Sequence, residues 1–328
     1  MDRIFELVPI VALLVAGVGG GIAAAIRKSP AASASTTGAP TAAPTKTGLV
    51  AETVALTILG GLFARILIGV LLDAAGDAKG ARLAIGWAFF LVPGIVDAIA
   101  SIFSDSRPLT DGSVLLWFAT VVGAFTGLMA GLHRIYDWSR LGAPQFLGDT
   151  TWGLGGSTTA ALVAFLNIFI GTCSSDERKG AHRYDKGFRL KEDFAFTQGN
   201  VMSSLTDDET QPLYKHERLH VFQNRAFGPG FILSYLGWMA LWIIPSLATS
   251  LARRDPRFIE GWCYRSNPWE VWAYFIQRRA AEQAEGRDFR SGGEWGPFVL
   301  REASAVIYAV PFFLLFVLLF LVAGVTLW

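Results

Sequence analysis

The run LVAETVALTILGGLFARILIGVLL, at residues 49–72, is almost entirely apolar and contains only two charged residues, Glu52 and Arg65. A helix needs about 20 mainly apolar residues to cross the hydrocarbon core of a bilayer. This run is long enough to do so. Comparable apolar runs lie at 4–26, 83–103, 114–132 and 298–328.

Two further apolar runs, at 151–173 and 231–251, carry interruptions. The first begins with the glycine-rich stretch 151–157, and the second contains Pro245. Membranes tolerate such broken or re-entrant segments where the freed backbone groups are buried in protein. The sequence therefore predicts a helical bundle with five to seven membrane spans.

The composition agrees with a multi-pass integral membrane protein of the all-α class. The chain of 328 residues is 52% hydrophobic and only 17% charged, whereas soluble proteins are about a quarter charged. Its formal net charge of +1 disfavours nucleic acid as a partner and leaves the lipid bilayer as the predicted one. Cys173 and Cys263 are isolated, so neither a cysteine zinc site nor a disulfide framework is predicted.

Composition also divides the chain into five parts. A stretch rich in Ala, Ser, Thr and Pro at 29–48 has no large apolar side chain before Leu49 and is predicted to be a disordered linker. It separates an N-terminal membrane anchor, 1–28, from a transmembrane bundle, 49–173. A membrane-proximal region, 174–296, with an embedded or re-entrant apolar segment precedes a C-terminal transmembrane helix, 297–328.

The membrane-proximal region contains the motif HExxH within YKHERLH, residues 214–220. On a helix, positions i and i+4 share a face, so His216 and His220 can bind one Zn²⁺ ion. Glu217 is then placed to act as the general base on a water molecule. Only four histidines occur in the chain, which makes a chance match rare. The alternative is that both histidines lie on the polar face of a surface helix and bind nothing.

A catalytic zinc site takes three protein ligands, so a third must come from elsewhere. Glu270, within NPWEVWAY at 267–274, is the predicted ligand, with Glu260 in reserve and His182 as a weaker candidate. The alternative for Glu270 is structural, because Asn267, Pro268 and Glu270 have the spacing of a capping box.

Two more residues are predicted to orient the metal ligands through hydrogen bonds. Gln223 lies at i+7 from His216 and shares its helix face, while Asn267 precedes the Glu270 helix. Metal-bound histidines usually hydrogen-bond such partners through their second ring nitrogen. The metal helix itself is predicted to begin near Pro212 and to end at 228–230.

A conflict follows from the apolar run 231–251. If it spans a bilayer about 30 Å thick, His216 and Glu270 lie on opposite sides. Either the run is re-entrant or bent at Pro245 into two short pieces, or the metal lies at membrane depth, or Glu270 is not a ligand. The bent or buried segment is the favoured interpretation.

Residues 194–197, Phe-Ala-Phe-Thr, are predicted to form a short strand before a turn at 198–200. Beside a zinc helix, such a strand can pair with an extended peptide by edge addition. The alternative is an ordinary loop that packs two phenylalanines on the membrane.

An HExxH motif followed by a helix-borne glutamate resembles the gluzincin metallopeptidases, and among them the membrane-integrated CAAX prenyl protease-like group. The likeness covers His216, Glu217, His220 and Glu270. That group usually has Glu-x-x-Ala-Asp at the last site, whereas here Tyr274 stands where the Asp would fall. The resemblance implies that His216, His220 and Glu270 bind zinc, that Glu217 is the base, and that the substrate is a peptide or membrane protein.

The leading expectation is therefore a membrane-embedded, zinc-dependent hydrolase, most simply a metallopeptidase. The alternative is a non-enzymatic membrane scaffold or assembly partner in a membrane complex, in which HExxH is structural or vestigial. Its supports are Arg65 and Asp97 within predicted spans and small residues that permit close helix packing, namely Gly60, Gly61, Ala64 and Gly69. A transporter is a third possibility and draws only on the intramembrane charges and the interrupted runs.

Overall fold

The structure, a computed structural model, is mostly helical and describes residues 2–26, 45–91, 99, 102, 112–170, 173–174, 178–189, 194–205, 211–285 and 314. Its helices are α1 (Asp2–Ile26), α2 (Lys46–Ala75), α3 (Lys79–Phe89), α4 (Gly112–His133), α5 (Gly142–Thr150), α6 (Leu154–Ile170), α7 (Pro212–Phe227), α8 (Pro229–Arg253), α9 (Arg257–Glu260) and α10 (Pro268–Glu285), with a π-helical turn at Gly261–Arg265. The predicted C-terminal helix at 297–328 and most of the linker at 29–48 lie outside the described residues.

Helices α2 and α4 form the centre of the bundle and approach each other through small residues. A methyl group added at Gly60 would collide with the backbone oxygen of Gly123, so the two backbones touch at this point. Ala64 and Ile68 continue the contact and are fully buried in a core shared with Leu115 of α4. Close packing of this kind replaces the hydrophobic drive that lipid does not supply.

Within the described part of the chain, three helices are long and apolar enough to cross a membrane, namely Lys46–Ala75, Val114–His133 and Pro229–Arg253. A fourth span results if α5 and α6, which meet at 88°, count as one broken segment. The predicted interruption near 151–157 is therefore real. Of the other predicted spans, 4–26 lies within α1, whereas 83–103 begins in α3 and runs beyond the described residues.

A four-stranded sheet stands beside the helices and qualifies the all-α prediction. Its strands are β1 (Cys173–Ser174), β2 (His182–Tyr184), β3 (Phe196–Gln198) and β4 (Val201–Ser203), in the order β1-β2-β4-β3. β3 and β4 form a hairpin whose turn contains Gly199 at φ +53°. The strand and turn predicted at 194–200 are thus confirmed in part, and the strand lies at the sheet edge.

Helix α8 is continuous from Pro229 to Arg253, so the predicted break at Pro245 into two pieces is wrong. The chain after α8 instead turns back along the same helix. Ser246 Oγ lies 3.3 Å from Cys263 Sγ, Trp238 Nε1 donates to the Trp262 oxygen at 3.0 Å, and Asn267 Nδ2 donates to the Tyr235 oxygen at 3.2 Å. This returning segment brings α10 back to the start of α8, beside α7.

Candidate metal centre

The HExxH motif lies on α7, which begins at Pro212 and ends before Gly228, as predicted. Proline suits the first helical turn because its missing N–H has no partner there, and Gly228 takes φ +57°, a conformation that glycine adopts freely. His216, Glu217 and His220 are all buried. The alternative of two histidines on a solvent-exposed helix face is therefore wrong.

Two imidazoles and one carboxylate converge between α7 and α10. His216 Nε2 lies 3.1 Å from His220 Nε2, 3.2 Å separates His216 Nε2 from Glu270 Oε2, and 3.3 Å separates His220 Nε2 from Glu270 Oε1. Zinc–ligand bonds of about 2.0–2.1 Å at tetrahedral angles place neighbouring donors about 3.3 Å apart. The two histidine–carboxylate separations end on different oxygens, and one ligand atom from each residue lies within 4.8 Å of the others. The three side chains are therefore close enough to share one metal ion.

Glu270 does not close a capping box. Asn267 caps α10 by accepting a hydrogen bond from the Trp269 N–H at 3.1 Å, whereas the Glu270 carboxylate accepts one from the Tyr235 hydroxyl at 2.8 Å. Its Oε2 atom is buried and has no hydrogen-bond partner among the described residues. This oxygen lies 3.2 Å from His216 Nε2 and is suited to binding a cation.

The two reserve ligands lie elsewhere. Glu260 forms an ion pair with Arg265 at 3.0 Å, and His182 Nδ1 lies 2.8 Å from His133 Nδ1. Among the described residues, His216, His220 and Glu270 form the one group of three able to share a metal ion.

The two predicted supporting residues hold the ligands in place. Gln223 is fully buried, with its Oε1 at 2.8 Å from His220 Nδ1 and its Nε2 donating to the Trp269 oxygen at 3.1 Å. Because the Gln223 carbonyl can only accept, the Nδ1 atom of His220 carries a proton, and Nε2 is the nitrogen that can bind a metal once its own proton is lost. Asn267 acts less directly, by donating to the backbone of Tyr235, whose hydroxyl binds Glu270.

We expect Gln223→Ala to weaken zinc binding by about 10- to 100-fold, since this is the usual cost of losing a residue that orients a metal-binding histidine. The measurement is a competitive titration of metal-free protein with a zinc chelator. Gln223→Glu keeps the acceptor for His220 and should lose less affinity than the alanine variant. Equal losses in the two variants would show that Gln223 does not act through His220.

Charge in the metal-free centre is divided between His220 and Glu270. Burial lowers the pKa of His220, but the neighbouring Glu270 carboxylate outweighs burial and raises this pKa to about 9. Burial raises the pKa of Glu270, whereas His220 and His216 together hold it well below its usual range. Near neutral pH the pair is therefore a protonated imidazole beside an ionised carboxylate.

This charge state predicts that zinc binding releases a proton from His220. Zinc affinity should rise about tenfold per pH unit between pH 7 and 9 and level off above the His220 pKa. Without metal, the His220 contribution to stability is complete below its unfolded pKa of about 6.5 and is lost as pH rises to 9. Calorimetry in buffers of different ionisation enthalpy measures the proton release, and a pH-independent affinity would contradict the prediction.

Three polar residues beside the motif were not predicted from the sequence. Thr197 of β3 donates a hydrogen bond to Glu217 Oε2 at 2.6 Å. Tyr264, in the π-helical turn, hydrogen-bonds to Tyr274, which also accepts from Arg265 Nη1 at 2.9 Å. The Tyr274 ring packs on His216 with 4.7 Å between centroids. Tyr274 thus contacts a predicted ligand through its ring.

A cavity of about 660 Å³ adjoins the centre. Its polar end contains Glu217, His220, Glu270, Tyr264 and Thr197, and most of its remaining wall is apolar. The centre is therefore buried in protein but open to a volume that can hold a substrate.

A buried ion pair anchors the far end of α7. Arg225 donates to both oxygens of Asp149, at 2.7 and 2.6 Å. Asp149 is fully buried and also accepts from Tyr136 at 2.8 Å and from Asn200 at 3.0 Å. This network joins the metal helix to α5 and to the β3–β4 turn.

Comparison with known proteins adds no assignment, because no family model, curated protein or solved structure matches this chain. The function is therefore argued from the geometry of the centre and its cavity.

Proposed function

We propose that this protein is a membrane-embedded, zinc-dependent hydrolase that cleaves peptide bonds. The observation that supports the proposal best is the convergence of His216, His220 and Glu270, with one ligand atom from each within 4.8 Å of the others, beside a cavity that His220, Glu270 and Glu217 all line. Three protein ligands and an open position are typical of catalytic zinc, whereas structural zinc has four protein ligands.

Each residue then has a distinct task. His216, His220 and Glu270 would hold the ion, which when bound polarises a carbonyl and lowers the pKa of water to about 7. Glu217, held by the Thr197 hydroxyl, takes a proton from the attacking water and returns it to the leaving nitrogen. Water is thereby added across the amide C–N bond, and the products are a carboxylic acid and an amine.

The edge strand β3 favours a peptide over other hydrolysable substrates. Residues Gln198 and Val201 flank the two-residue turn, so Thr197 and Met202 form the next, non-hydrogen-bonded pair. The N–H and C=O groups of Thr197 consequently point away from β4. Residues from both faces of the strand, 194–198, line the cavity, which places this free edge along it. An extended peptide can pair with such an edge.

We propose that Tyr264, which lines the cavity with Glu217 and Glu270, turns its hydroxyl from Tyr274 to the cleaved carbonyl when a substrate binds and stabilises the negative charge there. Burial, followed by the nearby Glu270 carboxylate, raises the pKa of Tyr264 far above its usual value, so the phenol keeps its proton. Tyr264→Phe should lower kcat by about 10²- to 10³-fold, the usual cost of one such donor, without loss of zinc. Tyr274 does not line the cavity, so Tyr274→Phe should have a smaller effect. Equal rates for Tyr264→Phe and wild type would contradict this role.

Metal analysis of the purified, detergent-solubilised protein tests the proposal directly. We expect about one zinc per chain, near-complete loss of zinc in His216→Ala, and zinc-dependent cleavage of a quenched fluorescent peptide library. A folded wild-type protein that binds no zinc would exclude the proposed activity.

The alternative function, a non-enzymatic scaffold, predicts that His216→Ala leaves function intact. The small residues that favour a scaffold have another explanation. Gly60, Gly61 and Ala64 are buried by contacts with α1 and α4 of the same chain. Asp97 lies outside the described residues.

A further inference from the structure

The cavity beside the metal centre is mainly apolar, although Thr159, Gln198 and Glu260 also line it. Large apolar side chains from α6, from the sheet region and from α8 make up most of its wall, among them Leu162, Leu166, Phe196, Ile232, Leu236 and Met239. No lysine or arginine among the described residues lines it. A peptide held there therefore meets apolar surface and finds no cation to pair with a C-terminal carboxylate.

Two of the lining residues are also exposed on the outside of the molecule. Leu162 of α6 is 55% exposed and Leu236 of α8 is 40% exposed, although both line the cavity. A side chain with both properties stands at a mouth. The mouth of the cavity is defined here by Leu162 and Leu236.

The outer surface around the mouth is apolar. On α6, Phe165 and Phe169 follow Leu162 at i+3 and i+7, and on α8, Ile243 and Leu247 follow Leu236 at i+7 and i+11; all four are exposed. Helix α8 is a candidate span, and α6 is the second half of the bent pair that passes as a span only together with α5. Continuous apolar exposure on candidate spans is suited to lipid and unsuited to water, so the mouth faces the hydrocarbon layer.

We propose that the cavity takes an extended apolar peptide segment directly from the bilayer, through the mouth between Leu162 and Leu236. The substrate class is thus a membrane-inserted peptide or protein with large apolar side chains next to the cleaved bond. Removal of residues from a C-terminus is not expected, since no cation among the described lining residues pairs with a terminal carboxylate. This inference rests on the proposed function, because the bond cleaved lies at the His216–His220–Glu270 centre.

Photo-crosslinking tests the binding step without requiring turnover. Glu217→Gln protein, reconstituted in phosphatidylcholine vesicles, is exposed to a leucine-rich peptide that partitions into lipid and carries one benzoylphenylalanine. A matched peptide has serine and glutamine in place of leucine. We expect adducts with the apolar peptide that map to cavity residues such as Met239, and at least tenfold fewer with the polar one.

Mouth variants test the route. Leu162→Trp combined with Leu236→Trp narrows the mouth and should reduce crosslinking of the membrane-inserted peptide at least tenfold, with the zinc content unchanged. Leu241→Trp is the matched control, because Leu241 is 63% exposed on the same helix and does not line the cavity; it should have no effect.

The possible failures are separable. If the wild-type protein binds zinc, two crosslinking results overturn the inference and leave the hydrolase proposal standing. In one, the Glu217→Gln protein crosslinks the polar peptide as well as the apolar one. In the other, the mouth variants crosslink normally. If the protein binds no zinc, the hydrolase proposal fails whatever the crosslinking shows. If the mouth variants lose zinc, the smaller changes Leu162→Phe and Leu236→Phe replace them under the same criteria.

Discussion

Replacing Glu217 by glutamine is expected to lower peptide hydrolysis by about 10²- to 10⁴-fold, the usual contribution of a general base, while about one zinc per chain stays bound. Glu217 is not one of the three converging donors, and its carboxylate is tied to Thr197. Glutamine preserves the size of the side chain and a hydrogen bond with Thr197 but cannot take a proton. The measurement pairs initial rates on a quenched peptide with metal analysis of the same sample.

Glu260→Gln is the matched control for Glu217→Gln. Glu260 also lines the cavity, but it pairs with Arg265 and lies outside the metal-binding group, so its substitution should change the rate far less. A Glu217→Gln variant that cleaves at the wild-type rate would remove the general base from the proposed mechanism. Loss of zinc in that variant would instead indicate that Glu217 helps to hold the ion.

Asp149→Ala is expected to lower the free energy of unfolding by about 3–5 kcal/mol, because it leaves the Arg225 guanidinium buried without its carboxylate partner. The same change removes an acceptor from Tyr136 and Asn200. Arg225 lies at the end of the HExxH helix, so zinc binding should weaken in parallel. Denaturant titration in detergent, followed by tryptophan fluorescence, measures the stability.

Two comparisons show whether burial is the cause. Asp255 pairs with Arg257 at the surface, at 2.7 Å, and Asp255→Ala should lower the stability far less than Asp149→Ala, because solvent screens an exposed ion pair. The double variant Asp149→Leu/Arg225→Met removes both charges and should recover part of the loss. If Asp149→Ala and Asp255→Ala cost the same, the buried pair is not a main anchor of α7.

The sequence predicts the part of the centre that lies on α7, because helix geometry alone determines which residues of that helix share a face. The i and i+4 spacing places His216 and His220 on one face, and the i+7 spacing places Gln223 behind them. Pro212 and Gly228 mark the helix ends for equally local reasons. Each of these positions follows from backbone geometry without knowledge of any other part of the chain.

Glu270 lies beside the two histidines, but its position depends on tertiary structure that the local sequence pattern does not reveal. A membrane-spanning run at 231–251 would place Glu270 and His216 on opposite sides of the membrane. The sequence gives no sign that the residues after Arg253 turn back along α8. That return depends on contacts such as Trp238 with Trp262 and Tyr235 with Asn267. It also contains a π-helical turn, a rare form that often occurs at functional sites and has no simple sequence pattern. Tyr264 lies in this turn, so no sequence pattern predicts it as a site residue.

Most of the strands are too short to be predicted from the sequence. Three-residue strands such as β2 and β4 are too short for an alternating pattern to be read, and β2 is buried on every residue. Only β3, with its phenylalanines and the following glycine, was visible in the sequence.

The three converging donors lie on α7 and α10, with the whole of α8 and its returning segment between them in the chain. An ion bound there joins two distant parts of the chain and so closes a long loop. The folded state then becomes more stable as the free ion concentration rises above the Kd. Chelation should therefore do more than stop catalysis: it should loosen the returning segment and make it susceptible to proteases. In a cell, zinc supply would then set the lifetime of the protein as well as its activity.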